Sequence, residues 1–235
     1  MAVATITMAS SQLSAITTFG REFSPSGASR KPYLSDHYLI VPGFHGSGAA
    51  HWQTWLEKQL PYCHRLAGVD WEAPRIEVWA RAIGRFLQET TATTWIVAHS
   101  FGCLASARAL ALFPGRVAGI LMVAPADPER FGLDGPGVFD QTVHLHKQHA
   151  PLMPSISQLL PQGLGTTGIL VASENDPWMS ATQANYWAQR WQLDLVNAGS
   201  AGHINSESGH GPWPQCLELL ALLGRRQTRS SKIAR

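Results

Sequence analysis

From Tyr38 onward the chain alternates between short apolar runs and segments with helical spacing, and this rhythm leaves few folds open. The runs are HYLIVPG, YCHRL, TWIVAHS, RVAGILMVAP, TGILVASENDP and LDLVNAG. Most carry apolar residues in succession rather than in alternation, as strands do when both faces are buried. Helices are expected between them. AAHWQTWLEKQL places Trp52, Trp55, Leu56 and Leu60 on one face. APRIEVWARAIGRFLQET has Pro74 in its first turn and Ile76, Trp79, Ile83 and Phe86 along one side. FGCLASARALALF is ended by Pro114-Gly115, SATQANYWAQRW aligns Ala184, Trp187 and Trp191, and PWPQCLELLALL forms a last helix. Six strands alternating with helices predict an α/β fold with a mostly parallel six-stranded sheet covered on both faces. Ligands of such sheets bind beyond the carboxyl ends of the strands, so chemistry is sought just after each one.

Hydrophobic residues make up 45% of the chain and charged residues 14%, enough apolar mass for a core and too little charge for a disordered, solvating polymer. Residues 1–35 stand apart: Ser- and Thr-rich, with one acidic residue (Glu22) and no sustained period, they read as a disordered extension. They lack the basic start and apolar stretch of a secretory signal; a Ser-rich transit peptide is the alternative. Residues 125–167 interrupt the rhythm with Pro and Gly around one short helix near Phe139–His149, and are expected to form a cap over the site. The single domain is thus expected over 36–224. The formal charge of +2 belongs to the ends: residues 36–224 hold 10 basic and 15 acidic residues, and the tail RRQTRSSKIAR holds five basic ones. Nucleic-acid binding by the domain loses its support, and the tail, 225–235, reads as a disordered, solvated end. Three scattered cysteines, Cys63, Cys103 and Cys216, argue against a disulfide scaffold and suit a reducing, cytoplasmic setting. No apolar run is long enough to span a membrane.

After the third strand, Ala98-His99-Ser100-Phe101-Gly102 has the small-x-Ser-x-Gly form of a sharp strand-to-helix turn that exposes a serine hydroxyl above a sheet, making Ser100 the candidate nucleophile. After the first, Pro42-Gly43-Phe44-His45-Gly46-Ser47-Gly48 can offer a backbone N–H to an oxyanion, and Phe44 and Phe101 are the candidate donors. The same loop lacks the lysine and spacing of a phosphate loop. After the fifth, Asp176 is the candidate acid, with Asp127 and then Glu174 as rivals. After the sixth, His203 on a Gly-flanked loop is the candidate base, with His210 as competitor. Trp52, Trp178 and Trp213 either wall an apolar pocket or belong to the core. His144, His146 and His149 mimic a metal motif, but no carboxylate or cysteine lies close, and no metal or cofactor is expected.

VPGFHGSGAAHWQTW, VAHSFGCLA, VAPADPERFG, SENDPW and AGHINSESGHGPWP together resemble the serine hydrolases related to retinoblastoma-binding protein 9 and the bacterial YdeN-like proteins, over roughly Tyr38 to Leu223. The resemblance implies a compact α/β-hydrolase fold with a reduced cap and a Ser-Asp-His triad falling on Ser100, Asp176 and His203. It implies small ester or amide substrates and no cofactor. The alternative is a hydrolase fold that serves as a protein-interaction module.

Overall fold

The computed structural model describes residues 5–7, 36–136 and 155–233. Nine strands are found there: β1 (Thr5–Thr7), β2 (His37–Val41), β3 (Cys63–Arg65), β4 (Thr94–His99), β5 (Gly119–Val123), β6 (Phe131–Gly132), β7 (Gly135–Pro136), β8 (Thr167–Ala172) and β9 (Asp194–Asn197). Seven form one sheet in the order β1-β9-β8-β5-β4-β2-β3, with every neighbouring pair parallel. Helices α1 (Trp52–Glu57), α2 (Ile76–Glu89), α3 (Phe101–Leu112), α4 (Ala181–Trp191) and α5 (Gln215–Ile233) supply the crossovers and the end of the chain. This is the α/β-hydrolase architecture, with the six expected strands in one sheet.

The strand pattern explains why the apolar runs are unbroken. Leu39 and Val41, Ile96 and Ala98, and Ile120 and Met122 pack under α2, α3 and α4. Their neighbours Tyr38 and Ile40, Trp95 and Val97, and Leu121 and Val123 pack under α1 and α5. Successive side chains of a strand point to opposite faces, so a sheet buried twice needs apolar residues at both parities. Helix α3 is buried at nine of its 12 positions, which suits its small residues: Ala105, Ala107 and Ala109 let it lie close to the sheet and to α2.

Parts of both chain ends carry secondary structure. Residues Thr5–Thr7, placed in the disordered extension, form β1 and pair with β9 at the sheet's open edge. A short β-prone triplet beside an unpaired edge has backbone partners waiting for it. Helix α5 runs on to Ile233, through most of the tail expected to be disordered. Arg, Lys and Gln are good helix formers, and basic residues suit a helix C-terminus. In the insertion, residues Pro128–Arg130 and Ile156–Leu159 form 3-10 turns, and β6 and β7 form a small antiparallel ladder. The helix expected near Phe139–His149, with His144, His146 and His149, lies outside the described residues. Among the described residues no helix is long and apolar enough to cross a membrane.

Candidate active site

Parallel pairing brings the carboxyl ends of the strands into line: Val41 is level with Ala98, His99 with Val123, and Ala172 with Asn197. The loops that follow β2, β4, β8 and β9 therefore converge on one edge. Between β4 and α3 a single residue makes the turn: Ser100, at φ 53 and ψ −125. A residue with a Cβ is disfavoured there, and this conformation persists only because its surroundings impose it. The Ser100 N–H donates to Val123 O at 3.1 Å. On one side, Gly43 leaves no room for a side chain, since a Cβ there would lie 2.6 Å from that of Ser100. On the other, a Cβ on Gly102 would fall inside the carbonyl oxygens of Val41 and Pro42. The two carbonyls that face Gly102 are backbone and cannot swing away. Gly102→Ala is therefore expected to lower the unfolding free energy by about 3 kcal/mol, read from urea unfolding; an unchanged midpoint would show that α3 can shift.

The Ser100 hydroxyl lies 2.9 Å from His203 Nε2. His203 Nδ1 lies 2.9 and 3.0 Å from the two carboxylate oxygens of Asp176. A carboxylate only accepts, so Nδ1 carries the proton and Nε2 is left to accept from Ser100. The acid and the imidazole are both shielded, with side chains 2% and 8% exposed. The sequence reading thus named three residues that the fold brings together from β4, β8 and β9. Asp176 Oδ1 also accepts the Trp178 N–H at 2.8 Å. The ring of Trp178 lies 5.7 Å from that of His203 and carries the Arg130 guanidinium 5.2 Å from its centroid.

The rivals are occupied elsewhere. Asp127 caps the turn at Pro128–Arg130 and accepts from Gln183 Nε2 at 2.7 Å. Glu174 accepts from Asn197 Nδ2. His210 pairs with Ser208 and packs edge-on to Trp213. Cys103, one turn into α3, directs its thiol at Val123 O, and burial pushes that thiol up and out of the reactive range. Of the three tryptophans, only Trp178 borders the site. Trp52 has no exposed surface and Trp213 is buried, and the two rings pack edge-to-face 5.3 Å apart in the core. Phe44 follows Gly43 at the end of β2, in the turn closed by Gly46 N–H donating to Gly43 O at 2.9 Å. Among the described residues, neither the Phe44 N–H nor the Phe101 N–H donates a hydrogen bond within the protein.

Several contributors escaped the sequence reading. Gln53 is wholly buried; its amide donates to Val41 O at 3.3 Å and Val97 O at 3.2 Å, and accepts from Ser47 at 2.6 Å. It thereby ties the end of β2, which leads to Phe44, to the end of β4, which leads to Ser100. Ser173 and Asn175 lace the acid loop to the histidine loop, accepting from Ala201 N–H at 2.9 Å and Gly202 N–H at 2.7 Å. Their place in SENDPW marked the loop but not their partners.

A cluster of buried imidazoles backs the site. His51 caps α1 by accepting the Gln53 N–H on Nδ1, and its ring lies 4.9 Å from that of His99. Burial first, and then Arg65 with the nearby His203 and His210, push His51 down to about 4. Burial and the nearby His203 and His51 hold His99 well below its ordinary value, and burial also lowers His210. The unfolded chain protonates these groups near pH 6.5 and the native state only at lower pH, so the unfolded chain binds more protons as pH falls below that point. Stability is full above about pH 6.5 and is lost toward pH 4, with each excess proton adding about 1.4 kcal/mol per pH unit. His51→Asn retains a capping acceptor without a titrating ring. Its unfolding free energy is expected to decline less steeply between pH 6.5 and 4, by about one proton's worth of slope. An identical slope in urea titrations would show that His51 does not contribute.

Known proteins place this geometry in context. A crystal structure of a YdeN-like protein from Pectobacterium atrosepticum superposes with a TM-score of 0.70 at 32% identity, covering 84% of this chain and 95% of its own. The Bacillus subtilis ydeN gene product superposes at 0.58 with 22% identity, over 81% of this chain and 98% of its own. In sequence, YdeN of Bacillus subtilis (strain 168) is 26% identical over 207 residues, which span 83% of this chain and all of YdeN. A sequence model described as serine hydrolase matches residues 38–222, the stretch that runs from β2 through β9 into the first half of α5. With that match across most of its length, the chain belongs to the serine hydrolase family.

Proposed function

We propose that this hydrolase cleaves small ester or amide substrates through an acyl-enzyme on Ser100. The observation that carries the reading is the unbroken hydrogen-bond chain from Ser100 through His203 to Asp176. His203 takes the Ser100 proton as the hydroxyl oxygen attacks the substrate carbonyl. Asp176 holds the imidazole as the Nδ1–H tautomer and stabilises it once charged. The oxyanion is bound by the Phe44 and Phe101 amides, each contributing about 3 kcal/mol in the transition state. His203 then protonates the leaving alkoxide or amine. It next deprotonates a water, which attacks the acyl carbonyl and releases the acid and Ser100. The Trp178 ring forms an apolar wall beside the reacting carbonyl, suited to small acyl or alcohol groups. The free thiols Cys63, Cys103 and Cys216 fit a reducing setting such as the cytoplasm.

The test is covalent labelling. A fluorophosphonate probe is expected to phosphonylate the protein once per chain, with the adduct mass on the peptide holding Ser100. An adduct elsewhere would overturn the nucleophile. Failure to label with any serine-directed probe would favour an interaction role for the fold.

A further inference from the structure

The residue after His203 is bent against its own preference. Ile204 is fully buried at φ 45, a region where a β-branched side chain crowds its own backbone. Gly202, at φ 60, suits such a turn; Ile204 does not. Backbone of this kind persists where neighbouring groups over-determine it, and it gathers at functional sites. Here two ring N–H groups do the holding. His99 Nε2 lies 2.9 Å from His203 O, and Trp52 Nε1 donates to Ile204 O at 2.8 Å. A carbonyl only accepts, so His99 must carry its proton on Nε2. Two successive carbonyls of the strained turn are thus each captured by an aromatic donor.

The donors sit on elements other than the loop they hold. His99 ends β4, one residue before Ser100, and Trp52 opens α1 on the other side of the turn. Their rings meet edge-on at 6.0 Å, and the His99 ring lies 4.9 Å from that of His203. Trp52 is enclosed and His99 nearly so, leaving neither positioned to touch substrate. Each nonetheless holds a carbonyl of the turn that carries His203: His99 that of His203 itself, and Trp52 that of the next residue.

We propose that His99 and Trp52 are positioning residues for the base: their ring N–H groups clamp the strained His203–Ile204 turn and so hold the imidazole in line with Ser100. The inference rests on the reading of Ser100 and His203 as nucleophile and base. It predicts a loss confined to the chemical step, because a misplaced imidazole leaves substrate binding intact.

Three variants test it: Trp52→Phe and His99→Leu, which remove a donor, and His99→Gln, which keeps an N–H at about the same reach. Steady-state hydrolysis of a short-chain p-nitrophenyl ester, the rate of fluorophosphonate labelling and Tm are measured for each. In Trp52→Phe and His99→Leu, kcat and the labelling rate are expected to fall together by about 10- to 100-fold, with KM little changed. His99→Gln is expected to recover much of both. Removing core packing alone would lower Tm and leave kcat per folded molecule unchanged. That result, or a His99→Gln variant no faster than His99→Leu, overturns the proposal. Should one donor-loss variant fail to fold, the other decides by the same readings. Failure of the underlying reading looks different: wild type itself would then carry no adduct on Ser100, whatever the variants do.

Discussion

Ser100→Ala is expected to lower kcat on a short-chain ester by about a million-fold, while the protein keeps its fold. The Oγ is the only atom removed, and it is the atom that faces His203 Nε2. The Cβ against Gly43 and the Ser100 N–H to Val123 O remain, so the elbow keeps its packing. A companion variant, Ser100→Gly, separates chemistry from strain. Holding a side chain at φ 53 costs about 1–3 kcal/mol, which glycine avoids, against about 1 kcal/mol of added chain entropy. Ser100→Gly is therefore expected to be as inactive as Ser100→Ala and to unfold at a higher temperature. Hydrolysis that survives in either variant would dismiss Ser100. A lower Tm for the glycine variant would dismiss the strain.

Asp176→Asn is expected to cost about ten-thousand-fold in kcat, and the cause is a tautomer rather than a lost charge alone. The Trp178 N–H holds Oδ1 of residue 176. In the asparagine variant the amide oxygen keeps that bond, which turns the NH2 toward His203. An NH2 at the Oδ2 position, 3.0 Å from Nδ1, opposes a proton on Nδ1 and favours the tautomer with the proton on Nε2, which has no lone pair to receive the Ser100 proton. Asp127→Asn changes a turn cap and a bond to Gln183, and is expected to retain most of the activity. A larger loss at Asp127 than at Asp176, in the same ester assay, would move the acid to that loop. Because the mechanism of loss is a proton on the wrong nitrogen, raising the pH is expected to restore little of the rate.

What the sequence makes legible here follows from where each signal lies. Strand and helix periods are local, and the six strands with Ser100, Asp176 and His203 at their ends could be read from runs of a few residues. Trp52 could not be settled, since a tryptophan on a helix face reads alike whether it borders a pocket or packs on Trp213. Its bond to Ile204 joins residues 152 positions apart. Gln53 was invisible for the same reason: a glutamine in an amphipathic helix looks solvated, and only the meeting of β2 and β4 supplies the two carbonyls that bury it. The strain at Ile204 has no compositional mark at all, because isoleucine is the wrong residue for that backbone. β1 is three residues long and owes its strand to an edge that another segment presents.

Under the proposed mechanism, the parallel order of the sheet also sets when this molecule becomes chemically competent. Ser100 and His203 are 103 residues apart, and β4 reaches β9 only through β5 and β8. Pairing of that kind is non-local and forms slowly, since long loops must close before the contacts reward it. A refolding chain can complete the elbow from neighbouring segments early, yet the serine stays an ordinary alcohol until β8 and β9 have docked. On that reading of Ser100, nucleophilicity is a property of the assembled sheet rather than of the elbow alone.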